Sequence, residues 1–293
     1  WLHANGQGTG LVFNSTTGAV TGLTPTFLPD LKQLVALAYS HRVALQVTLW
    51  SFDMCKDEGG KGYTRASVVS DPDVSKSYID NALRPMLQAV NTVGTKGGRG
   101  GVLWEVINEP EWCMKSTPCN TKVCVEDKDM QSFVAAVAMA VHEAAFKVTV
   151  GSAALKWASP TQPPADSFFF SDANLLKYAP ASGCAQPTLD LYNIHYYDWC
   201  FDKTWGYDPC RANTTYWGIA DRPTVVAELP ATSKHYSAAQ LLSCSFNNGF
   251  SGSLFWAYND PNFPIAPVLE PMKAFVKSVG DRASYDAIVT WLQ

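Results

Sequence analysis

Charge is what this sequence is short of. Charged residues fill 16% of its 293 positions, against about 25% in an ordinary soluble domain. Lys+Arg 22 against Asp+Glu 26 leaves a net charge of -4. That balance excludes a generally basic nucleic-acid binder and a polybasic membrane-surface protein. Long apolar runs are missing too, since none reaches the roughly 18–20 residues a membrane span needs. The opening Trp1-Leu2-His3-Ala4-Asn5-Gly6 has no signal-peptide pattern, so the chain reads as mature protein or as a fragment.

Nucleotide fingerprints are absent as well. Gly97, Gly98, Gly100 and Gly101 precede an apolar run instead of following one, which fits a tight turn better than a phosphate cradle. Gly59-Gly60-Lys61-Gly62 lies in a long loop without Walker spacing. No Cys-x-x-Cys pair has a matching pair downstream, so no zinc site, other metal or cofactor is expected.

What the sequence has is aromatic and apolar. Ten Trp, 12 Tyr and 14 Phe sit within a hydrophobic content of 47%, ample for a large core. Eight cysteines are an even number, and Cys113, Cys119, Cys124, Cys200 and Cys210 fall in polar, Gly/Pro-rich stretches. Such placement predicts disulfides and hence a secreted, extracellular protein. A local pair such as Cys200 with Cys210 fits, while the full connectivity stays open. Asn14 and Asn213 head Asn-x-Thr/Ser triplets, which agrees with a secretory route.

Six short apolar runs recur: Val43–Trp50, Val102–Asn108, Lys147–Ala154, Leu189–Tyr197, Thr224–Leu229 and Ser253–Tyr258. Being continuous and not alternating, they read as buried strands of a parallel sheet. Helical spacing lies between them. Asp30–Ser40 carries a face of Leu31, Leu34, Val35 and Ala38. A helix with Asp71 as N-cap and Pro72 in its first turn is expected to run to about Val93. Asp129–Phe146, Ser237–Asn248 (capped by Ser237) and Pro267–Val279 complete the series. Strands alternating with helices, with no linker between halves, predict one α/β domain over 1–293, built as a (β/α)8 TIM barrel.

A barrel places its chemistry at the C-terminal ends of several strands. One run ends Asn108-Glu109-Pro110 and another Ala227-Glu228-Leu229-Pro230. A carboxylate inside or just after a buried strand needs a partner or a function. The structural alternative is an ion pair below the barrel mouth, but two acids on two strand ends favour chemistry. On the run ending His195-Tyr196-Tyr197, period two puts His195 and Tyr197 on one face. Trp256 stands at the end of the last run, as a platform for a sugar ring or as a core Trp with its N–H satisfied.

Together Asn108-Glu109-Pro110, His195-x-Tyr197, Glu228 and Trp256 resemble the signature of the retaining (β/α)8-barrel glycosidases, glycoside hydrolase family 5 in particular. Trp104-Glu105-x-x-Asn108-Glu109-Pro110 and Phe255-Trp256 look most like its endo-β-1,4-mannanases. The resemblance implies Glu109 as general acid/base and Glu228 as nucleophile. It further implies Asn108 on the sugar 2-hydroxyl and His195 and Tyr197 lining the site, with Tyr197 bonded to the nucleophile. Trp256, Trp50 and Trp199 are the expected stacking residues, with Trp112, Trp157, Trp205 and Trp217 as further aromatics at strand ends or in loops. Two features depart from the pattern: Leu229-Pro230 follows the nucleophile where an aromatic and Gly are common, and no residue matches the second-strand Arg.

The partner implied is a β-linked polysaccharide or oligosaccharide, bound by a monomer with no nucleic acid and no membrane. A cellulase or β-glucanase of the same family and a non-catalytic carbohydrate-binding barrel are the alternatives. A barrel acting on phosphorylated substrates should carry glycine after its late strands, and Glu228–Lys234 and Tyr258–Pro264 have none. The count of six runs plus Trp1–His3 also predicts that Trp1 lies beside Val43–Trp50, with the first strand and most of the second outside this chain.

Overall fold

The computed structural model describes all residues except 4–6, 58–63, 94–100, 162–167, 181–184, 202–206, 281–287, 289, 291 and 293. The glycine-rich turns at 59–62 and 97–100, Cys184 and Trp205 lie outside the described residues.

In chain order, a hairpin of β1 (Leu11–Phe13) and β2 (Val20–Leu23) comes first, then α1 (Phe27–Ser40) and β3 (Leu45–Ser51). Next are α2 (Ser67–Ser70), α3 (Pro72–Tyr78), a π turn over Ile79–Leu83 and α4 (Arg84–Asn91). They lead to β4 (Val102–Asn108), α5 (Asp127–Glu143) and β5 (Lys147–Ser152). After β5 follow α6 (Leu155–Ala158), α7 (Asp172–Tyr178), β6 (Tyr192–His195) and β7 (Thr224–Pro230). The series ends with α8 (Ala238–Asn247), β8 (Gly252–Trp256) and α9 (Ala266–Val279).

The chain divides into two compact units. Unit 1 is Trp1–Val150, Phe170–Leu189 and Tyr285–Gln293; unit 2 is Gly151–Phe169 and Asp190–Ser284. In unit 1, β3 and β4 are parallel with Trp50 opposite Ile107 and Ser51 opposite Asn108. The other edge of β3 takes the start of the chain, where Leu2 N–H donates to Thr48 O (2.9 Å) and His3 N–H to Leu49 O (3.3 Å). Trp1–His3 therefore lies beside β3, as expected from the strand count. In unit 2, the end of β5 pairs with β6, β6 with β7 and β7 with β8, all parallel.

The elements follow from the sequence with three adjustments. Asp71 caps α3, its carboxylate accepting from the N–H groups of Asp73 and Val74. The helix expected to run on to about Val93 is helical throughout from Pro72 to Asn91, widened into the π turn just before Pro85 at the start of α4. Proline has no N–H and its ring crowds the preceding turn, which a widened turn relieves. In α1 the buried stripe is Leu31 and Val35, and Leu34 is exposed (44%). The third adjustment is β8, where Leu254 is half exposed (48%), so this strand is not a fully buried one. Among the described strands β8 pairs with β7 alone, and one edge without a neighbour is wetted. Helix α5 is buried nearly all round, from Met130 to Val141. It packs on β4, α2, α4 and α7 within unit 1, as a helix apolar on every side must.

Candidate active site

In unit 1 the site residues stand at the end of β4, all seven residues of which are buried. The Glu105 carboxylate, within the strand, accepts from Gln46 Nε2 at 2.6 Å and is thus a satisfied structural acid. Asn108 is buried at the strand end. Glu109 follows with φ 49° and ψ 50°, a left-handed conformation that costs about 1–2 kcal/mol for a residue with a Cβ. Such strain at a strand end points to function. The left-handed residue ends the strand and starts the 3-10 turn Pro110–Cys113. That turn brings Trp112 back so that its Nε1 donates to Glu109 Oε2 at 2.9 Å. Glu109 is half-buried, so its carboxyl keeps access to solvent or ligand.

In unit 2 the site is built by β6, β7 and β8. Across β6 and β7, Ile194 pairs with Val226 and His195 with Glu228; across β7 and β8, Val226 pairs with Ser253 and Leu229 with Phe255. Strand β7 therefore carries one extra residue relative to both neighbours, at Ala227–Glu228. A bulge of this kind re-aims a side chain, and here it turns the buried Glu228 carboxylate toward β6. The Tyr197 hydroxyl donates to Glu228 Oε2 at 2.6 Å, and His195 Nδ1 lies 3.6 Å from the same oxygen. A short hydrogen bond onto a carboxylate is stronger than a neutral one and holds its orientation. Tyr196 N–H donates to the Glu228 carbonyl (2.9 Å), which fixes the backbone as well.

Trp256 ends β8 opposite Pro230 and is half-buried. Trp199 is half-buried in the turn after β6, 6.5 Å from Trp157 between ring centroids. Asp198, in that same turn, accepts from Ser233 Oγ and from Lys234 N–H (2.7 Å). It ties the loop after β6 to the loop after β7. Sequence reasoning passed over Asp198, Trp112 as a partner of Glu109, and the extra residue in β7.

One expected binding residue is corrected. Trp50 is completely buried, against His3 (4.7 Å between centroids) and Tyr78 (5.3 Å), and offers no face for a sugar. Trp157 and Trp217 are likewise core residues. The end of β3 is covered on both faces, with Leu49, Trp50 and Ser51 all buried, and the large apolar area of Trp50 is worth more desolvated there.

His3 was not anticipated. Its ring is buried, with Nδ1 at 3.0 Å from Thr9 O and Nε2 at 3.2 Å from Tyr78 Oη. A carbonyl only accepts, so Nδ1 carries the proton and Nε2 accepts from the tyrosine. Burial lowers the pKa to about 4, with the Thr9 bond opposing.

The disulfides are Cys119–Cys124 and Cys210–Cys244 among the described residues. Cys210 thus pairs with Cys244 and not with Cys200, which is a buried thiol.

The parallel strands, their intervening helices and the acids at strand ends define a protein of the (β/α)8-barrel class. No family model matches the chain. It is similar to mannan endo-1,4-beta-mannosidases of Mytilus edulis (26% identical, covering 89% of this chain and 72% of the relative) and Cryptopygus antarcticus (25%, 88% and 69%). The solved structure of beta-mannanase from the blue mussel Mytilus edulis superposes with a TM-score of 0.75 at 23% identity. It covers 94% of this chain and 78% of that one, and the likeness shows the fold.

Proposed function

We propose that this chain is a retaining glycoside hydrolase that cleaves β-1,4-linked mannan. The observation that carries the reading is the Glu228 carboxylate, buried at the end of β7 and held by the Tyr197 hydroxyl. The similarity to mannan endo-1,4-beta-mannosidases supports the substrate class. Glu228 attacks the anomeric carbon while Glu109 gives its proton to the leaving glycosidic oxygen. Glu109 then takes a proton from water, which displaces Glu228 and restores the original configuration. Retention of this kind requires carboxyls about 5–5.5 Å apart, whereas inversion requires about 6.5–9.5 Å.

In this reading Asn108 binds the 2-hydroxyl, His195 and Tyr197 line the site, and Trp256 and Trp199 stack on pyranose rings. A neutral polymer explains why so few charges are needed. The protein acts as a monomer outside the cell, a location that suits its disulfides.

Glu228→Ala should abolish release of reducing sugar from β-mannan, and near-wild-type hydrolysis by that variant would end the assignment. Proton NMR of the first products should show the β-anomer; initial α-anomer would mean inversion. Greater activity on cellulose or mixed-linkage glucan than on mannan would move the substrate to a β-glucan.

A further inference from the structure

In unit 1, β3 and β4 end side by side, with Ser51 opposite Asn108. β3 runs directly into the 3-10 turn Phe52–Cys55 and β4, through Glu109, into Pro110–Cys113, and each turn closes on a cysteine. Neither Cys55 nor Cys113 has solvent exposure, and both are thiols in this structure. One short segment holds the two together. Val123 N–H donates to the Cys55 carbonyl at 3.1 Å and Val125 N–H to the Cys113 carbonyl at 2.8 Å. Between those two valines stands Cys124, itself bonded to Cys119. The two turns pack against each other, the Cys113 thiol donates to the Pro110 carbonyl at 3.3 Å, and the neighbouring Cys55 first, then burial, pushes the Cys113 thiol up.

Two buried thiols on neighbouring turns are unusual in a chain that makes other disulfides, because the conditions that oxidise those would oxidise these as well. We propose that Cys55 and Cys113 form a further disulfide in the mature protein. The bond joins the turn after β3 to the turn that carries Trp112 and is entered from Glu109. It forms during folding, before the sulfurs are covered, by exchange with a low-molecular-weight disulfide. One cysteine thiolate attacks that disulfide and expels a small thiolate. The second cysteine thiolate then attacks the mixed disulfide and expels the other. Two protein thiols and one small disulfide become one protein disulfide and two small thiols, so the two electrons pass to the small molecule. The linkage does not depend on the glycosidase reading, so the two can fail separately.

The test is peptide mapping of the full chain, folded in a mixture of oxidised and reduced glutathione. The protein is unfolded in denaturant with iodoacetamide present and digested without reduction. The expected result is a cross-linked species joining the Cys55 and Cys113 peptides that disappears on reduction. Alkylation of both cysteines, or a link from either one to Cys184 or Cys200, overturns the proposal. In Cys55→Ala the same map should show Cys113 newly alkylated. Unchanged alkylation of Cys113 between wild type and that variant counts equally against it.

Discussion

His3 shows how much a single buried ring can set. It is neutral in the fold, with both nitrogens used, and burial holds its pKa at about 4 against an ordinary 6.5. The folded value lies below the unfolded one. Its contribution to stability is therefore complete above about pH 6.5 and is lost as pH falls toward about 4. The loss amounts to about 3 kcal/mol. Melting curves across this range should show a steeper acid decline for wild type than for His3→Gln, and equal slopes would refute the assignment. Trp112 acts on the same scale. Its indole N–H holds the Glu109 carboxyl in place, and misplacing a reacting group costs rate, so Trp112→Phe should lower kcat/KM on mannan by about tenfold or more. The melting temperature should change little, which separates loss of positioning from loss of fold.

Among the elements, local signals were legible where the chain supplies its own partner. Ser237 caps α8 through a capping box with Gln240, whose side chain returns the bond to the Ser237 N–H. Ser237→Ala should cost about 1 kcal/mol, read as a shift in urea midpoint with unchanged slope. Strand β4 could be read residue for residue, because a continuous apolar run stops at an acid and a proline. The hairpin β1–β2 escaped, since strands of three and four residues show no period. The π turn before Pro85 and the extra residue in β7 escaped for another reason. Both concern how a segment fits its neighbours, which no pattern within the segment records.

For the whole molecule, the cysteines connect stability to compartment. Cys210–Cys244 spans 34 residues within unit 2, a loop for which chain entropy predicts a contribution of about 3–4 kcal/mol. Replacing both cysteines with Ser should lower unfolding free energy by about that amount in equilibrium denaturation. An unchanged midpoint would mean the bond contributes no constraint. Sequence by itself determined the βα alternation and the position of Glu109 and Glu228 at strand ends. These follow from the spacing of apolar and polar residues along a few turns or pleats. Strand β6, by contrast, ends at His195, and Tyr197 lies past the strand whose parity would place it. Only tertiary structure decided that Trp50 is core, that Cys210 takes Cys244, that β7 bulges at Glu228 and that His3 is neutral. Each of those depends on desolvation and on partners far away in the chain, and a side chain's sequence neighbours hold no information about which distant group will cover it.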